Sequence, residues 1–108
     1  MADGQVFEVV LDEHDVCVVR GELDEATGAE LERLLSGRPD VASVDLGEVS
    51  FVDSAGLRAL LVARQRLQAA GRDLVVRRSS GAVRRVMRLA GVSHLFVPAG
   101  EQGQATAG

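Results

Sequence analysis

Apolar positions along the chain change their spacing at each polar break, and this alternation lays out the elements. Val6 to Leu11 and Val16 to Arg20 are short strand-like runs joined by the polar stretch Asp12-Glu13-His14-Asp15, which predicts an antiparallel hairpin. Gly21-Glu22-Leu23-Asp24 then reads as a loop leading into a helix whose inner face is Leu31, Leu34 and Leu35. Thr27 and Glu30 have capping-box spacing, and Asp24 offers an earlier start. Gly37 and Pro39 end that helix. Val41 to Leu46 has the pattern of a central strand covered on both faces, Gly47-Glu48 reads as a turn, and Val49 to Val52 return the chain to the core.

A second helix is expected from about Ala55 to Ala70, with Leu57, Leu60, Leu61 and Leu67 on one face and Gly71 as its stop. Leu74 to Val76 is a further strand. Ser79 or Ser80 can cap a third helix, in which Val83, Val86, Met87 and Ala90 share a face opposite Arg84, Arg85 and Arg88. Gly91 ends it, and His94 to Val97 reads as a short closing strand before Pro98. The order is therefore β-β-α-β-α-β-α-β: a single α/β domain with a mixed central sheet, right-handed crossovers and helices packed on it. The domain is expected over 6–98, with residues 1–5 and the Gly/Ala/Gln-rich tail 99–108 disordered.

Composition narrows what such a domain can do. Trp and Tyr are absent and Phe occurs only three times, so the core must be aliphatic, and the stacking platforms of single-stranded nucleic-acid binders are missing. Cys17, the only cysteine, lies in the apolar run Val16 to Val19 and reads as a buried, inert thiol; a lone cysteine forms no internal disulfide and suits a reducing compartment. The N-terminal residues show no secretory signal. The longest apolar run, Ala59 to Ala63, falls far short of the roughly 20 residues a membrane span requires, so a cytoplasmic location is expected.

Charge is segregated along the chain. Residues 1–53 hold fourteen of the sixteen acids and three arginines, whereas 54–108 hold nine arginines and two acids. Because those arginines recur at helical spacing rather than in one block, they read as solvated outer faces that pair with acids after folding.

Candidate chemistry concentrates in Phe51-Val52-Asp53-Ser54-Ala55-Gly56-Leu57. Phe51, Val52 and Leu57 read as core anchors, Asp53 and Ser54 can both accept from free N–H groups of a first helical turn, and Ala55 and Gly56 leave that turn uncrowded. Three readings follow: Ser54 as a helix cap, as a nucleophile, or as a phosphorylation site. The nucleophile elbow wants glycine two residues before the serine, where Val52 stands, and neither His14 nor His94 is an evident base. No metal set and no Gly-rich phosphate loop is visible, so no cofactor, metal or enzymatic activity is expected.

Two segments bear on the remaining choice. Gly21-Glu22-Leu23-Asp24 with Thr27, and Ser50 through Leu57, resemble the early loop and the signature loop of STAS domains of the anti-sigma factor antagonist type, which are bacterial partner-switching proteins. A weaker likeness runs from Gly81 to Gly91 through Val83, Arg84, Arg85 and Leu89, and the whole covers about residues 6–98. The resemblance implies that the unphosphorylated protein binds an anti-sigma factor, often itself a serine kinase, and so frees a sigma factor. It further implies that phosphorylation of Ser54 ends that binding and that a phosphatase restores it. Many relatives carry a second serine where this chain has Ala55, which leaves Ser54 as the modified residue. The partner surface is expected to comprise Glu22, Asp24, Asp53, Ser54, Ala55 and Gly56, with the acids clustered around the serine. A monomer is expected, with a weak dimer through an exposed sheet edge as the alternative; a STAS-type ligand-binding or scaffold module is the alternative function.

Overall fold

A computed structural model describes residues 7–96. Four strands, β1 (Glu8–Leu11), β2 (Val16–Leu23), β3 (Ser43–Val52) and β4 (Val75–Ser79), form one sheet in the order β1-β2-β3-β4. β1 is antiparallel to β2, whereas β3 runs parallel to both β2 and β4. The connecting helices are α1 (Glu25–Gly37) and α2 (Ser54–Ala69); α3 (Gly81–Leu89) follows β4. The hairpin turns where the sequence placed it. The Asp12 carboxylate accepts from the N–H groups of His14 (2.7 Å) and Val16 (3.0 Å), and Asp15 takes the left-handed conformation that aspartate tolerates.

All three helices lie on one face of the sheet. Val9, Leu11, Cys17, Val19, Val44, Leu46 and Val76 face the same core as Leu31 of α1, Leu57 and Leu60 of α2, and Val83 and Met87 of α3. Each fully buried aliphatic side chain contributes roughly 1.5–3 kcal/mol. Among the described residues no helix covers the opposite face, contrary to the expectation for the central strand. That face carries a charged ladder across all four strands: Arg20 pairs with Glu8 (3.1 Å) and Glu48 (2.9 Å), and Arg78 with Asp45 (3.0 Å) and Glu48 (3.8 Å). Exposed pairs of this kind contribute about 0–1 kcal/mol each, so aliphatic burial on the helix face carries the fold.

Three further expectations are corrected. Gly47-Glu48 is no turn, because β3 runs unbroken from Ser43 to Val52. Its apolar positions change phase, from Val44 and Leu46 to Val49 and Val52, where the register against β2 shifts between Val18 and Arg20 and again between Gly21 and Glu22. Those shifts absorb the extra residues that mimic a turn. The second correction concerns Gly21-Glu22-Leu23, which ends β2 rather than forming a loop; α1 then starts at Glu25 with Asp24 as its cap, the earlier of the two starts the sequence offered. Third, the closing strand expected at His94–Val97 is replaced by a 3-10 turn, Ser93–Leu95, followed by a buried Phe96. The Leu95 carbonyl accepts from Arg64 Nε of α2 at 3.0 Å and the Phe96 N–H donates back to Ser93, so these groups are engaged outside any ladder. Val97, Pro98 and both expected disordered ends lie outside the described residues.

Candidate functional site

The loops after β2 and β3 leave the same end of the sheet because the two strands are parallel, and they touch. Leu23 stands opposite Val52, Glu22 opposite Phe51, and the Asp53 N–H donates to the Leu23 carbonyl at 3.2 Å. Gly56 makes this contact sterically feasible: a Cβ there would sit 2.1 Å from the Leu23 oxygen. The adjoining helices are equally close, since a Cβ on Gly28 would lie 3.1 Å from that of Ala59. Small residues thus dock the first turn of α2 against the β2–α1 connection.

Each helix start is secured by its own aspartate. Asp24 Oδ1 accepts from the Thr27 N–H at 3.1 Å, and Thr27 Oγ1 returns the favour by accepting from the Asp24 N–H at 2.8 Å. The bond from the Thr27 N–H, followed by one from the Thr27 hydroxyl to Oδ1 at 2.9 Å, holds the Asp24 carboxyl below its ordinary value of 3.8. Asp53 Oδ1 accepts from the Gly56 N–H at 2.9 Å, and its carbonyl accepts from Leu57 N–H at 2.9 Å. Asp53 is therefore the cap of α2, and Ser54 is the first residue inside the helix. The Ser54 side chain is exposed and makes no hydrogen bond among the described residues.

Ser54 lies on the rim of a groove formed with Ala55, Arg58 and Ala59 of α2 and Glu25, Gly28, Ala29 and Glu32 of α1. Of the other expected site residues, Glu22, Asp24, Asp53 and Ala55 are half-buried around the two loops, and Gly56 is buried. Leu57 is buried in the core as expected, but Phe51 is not: it is 47% exposed at the end of β3. Phe51, Glu25, Glu32 and Arg58 are the site residues that pattern alone missed. Arg58 could have been found from its i, i+4 spacing to Ser54. Phe51 could not, because its outward turn depends on the register shifts in β3.

Neither histidine is near the serine. His14 lies in the β1–β2 turn, at the opposite end of the parallel strands, and His94 follows α3, which starts at the serine's end of the sheet and runs away from it. The arrangement offers an unbonded hydroxyl at the start of α2, beside a charged groove. Among the described residues no helix is long and apolar enough to cross a membrane.

The family model described as Mlab, STAS domain matches residues 8–98. Among solved structures, an anti-sigma factor antagonist from Mycobacterium paratuberculosis is 25% identical and superposes with a TM-score of 0.73, covering 99% of this chain and 97% of that one. The anti-sigma factor antagonist SpoIIAA in its unphosphorylated form is 22% identical with a TM-score of 0.66, covering 93% of each chain. The Bacillus cell fate determinant SpoIIAA in the phosphorylated form is 21% identical with a TM-score of 0.56, covering 94% of this chain and 98% of that one. No curated protein sequence matches the chain. With the match running through every strand and helix and through both loops at Ser54, the chain belongs to the STAS domain family.

Proposed function

We propose that the protein is an anti-sigma factor antagonist whose Ser54 is the phosphorylated switch residue. The observation that carries this reading is the division of labour at the start of α2: Asp53 caps the helix, and the Ser54 hydroxyl is left exposed and unbonded on the rim of the α1–α2 groove. A serine needed for capping would lose its bond when phosphorylated; this one has no such bond to lose. The likeness to an anti-sigma factor antagonist over almost the full length of both chains supports the same role.

In this reading the unphosphorylated protein docks an anti-sigma factor through Glu22, Asp24, Asp53, Ser54 and Ala55, with buried Gly56 shaping the loop and Phe51 adding an apolar contact. The partner supplies Arg or Lys to this acidic rim and is itself the serine kinase. Phosphorylation adds about −1.5 to −2 charges at the rim. The fold stays intact because the modified side chain has no structural bond, and binding ends because steric fit and charge balance at the interface are lost. A phosphatase resets the cycle.

The test is the intact mass of the protein after incubation with ATP and a candidate anti-sigma kinase. One added phosphate, absent in Ser54→Ala, is the expected result. A chain that no available kinase modifies would instead point to a ligand-binding or scaffold role.

A further inference from the structure

Six arginines in the described region are already engaged. Arg20, Arg38 and Arg78 sit in ion pairs, and Arg64, Arg72 and Arg84 donate to backbone carbonyls. Arg58 is exposed and, like Arg33, Arg66, Arg77, Arg85 and Arg88, has neither an ion pair nor a side-chain hydrogen bond among the described residues; its place beside Ser54 sets it apart. It stands one helical turn beyond Ser54, lines the same groove, and is the one cation there among the described residues, with Glu25 and Glu32 of α1 on the groove's other side.

A phosphate on Ser54 needs a counter-charge. The usual one at a helix start is the set of free N–H groups of the first turn. Here the Gly56 N–H is taken by the Asp53 carboxylate and the Leu57 N–H by the Asp53 carbonyl, which leaves only those of Ser54 and Ala55 for an anion. A dianion on Ser54 would also face that carboxylate one residue away. Residues at i and i+4 have Cβ atoms about 5–6 Å apart, within reach of a guanidinium that can bind phosphate through two parallel N–H donors.

We propose that Arg58 is the positioning residue for the phosphorylated switch: its guanidinium folds onto the phosphate at Ser54 and holds it as a dianion against the α1–α2 groove. The consequence goes beyond adding charge at one atom. Before modification the groove presents a cation between two glutamates; afterwards that cation is neutralised within the chain, and a partner meets an acidic groove. This inference rests on Ser54 being the modified residue.

The experiment installs phosphoserine at position 54 during translation, so that no kinase is needed, and follows its second ionisation by phosphorus NMR. Comparison is made among the otherwise wild-type protein, Arg58→Gln and Arg58→Lys. An opposite charge at hydrogen-bonding distance favours the dianion and lowers the midpoint from its ordinary value of about 6. The expected result is a midpoint at least ~0.5 pH unit higher in Arg58→Gln, with Arg58→Lys in between because a point charge replaces a fork. Equal midpoints in the arginine and glutamine proteins would overturn the role of Arg58, and thermal midpoints of the unphosphorylated forms separate that outcome from misfolding. Failure of the broader reading is seen elsewhere, in the kinase-dependent mass experiment, so the two are distinguishable.

Discussion

At the residue scale, the geometry around Ser54 depends on two neighbours that never leave the fold. Gly56 lets the first turn of α2 approach the Leu23 carbonyl, and Asp53 takes over the cap. Gly56→Ala would place a methyl group 2.1 Å from that oxygen, so backbone must shift. A loss of about 1–3 kcal/mol in urea unfolding is expected, with partner affinity lowered as the Ser54 loop moves. A stability equal to wild type would show that the two loops are not held against each other.

Asp24 gives a pH-dependent prediction. Its folded-state value lies below the ordinary 3.8, so its contribution is fully present above that value and is lost as pH falls through the lower, folded one. Asp24→Ala should therefore lower the thermal midpoint by about 4–8 °C at neutral pH, and the gap to wild type should shrink only below about pH 4. Cys17 is a third case: burial pushes its thiol up to about 11. It should resist thiol reagents at pH 8 in the native protein and react at once in denaturant; fast native labelling would place it outside the core.

At the element scale, helix faces were more legible in the sequence than strands. Leu57, Leu60, Val83 and Met87 sit inside as their spacing required, because an α-helix keeps one period throughout. Strand β3 did not keep its period. Its register shifts moved Phe51 outward and turned an apparent break at Gly47-Glu48 into continuous strand, and such shifts depend on the neighbouring strand rather than on local pattern. The cap of α2 was ambiguous for another reason. Asp53 and Ser54 are both good capping residues, and only the backbone distinguishes the residue before the helix from the first one in it. Two substitutions test the face assignment. Leu60→Ala, in the core of α2, should cost about 2–5 kcal/mol, whereas Leu89→Ala, on a side chain 75% exposed at the end of α3, should change stability by about 0.5 kcal/mol or less. Similar losses at both would mean the helices are packed on other faces.

For the whole molecule, the mixed sheet explains why two loops thirty residues apart in sequence form one site: parallel β2 and β3 deliver both to the same end. The segregated charge follows a more complex division than simple pairing after folding. Some arginines neutralise acids on the open sheet face, but Arg84, Arg85 and Arg88 on α3 remain exposed without an ion pair among the described residues. The acids Glu25 and Glu32 instead line the groove at Ser54, and Asp53 caps the helix just before it. On the proposed reading, a modification there acts on the partner surface and leaves the core untouched. The most direct measurement is the affinity of the anti-sigma partner for the same preparation before and after stoichiometric phosphorylation at Ser54, with circular dichroism and the thermal midpoint recorded alongside. The expected result is an affinity lowered about 100-fold or more, equivalent to about 2.7 kcal/mol, with both fold readouts unchanged. Equal affinity in the two states, or loss of binding only together with loss of the native spectrum, would contradict a switch that works at the surface.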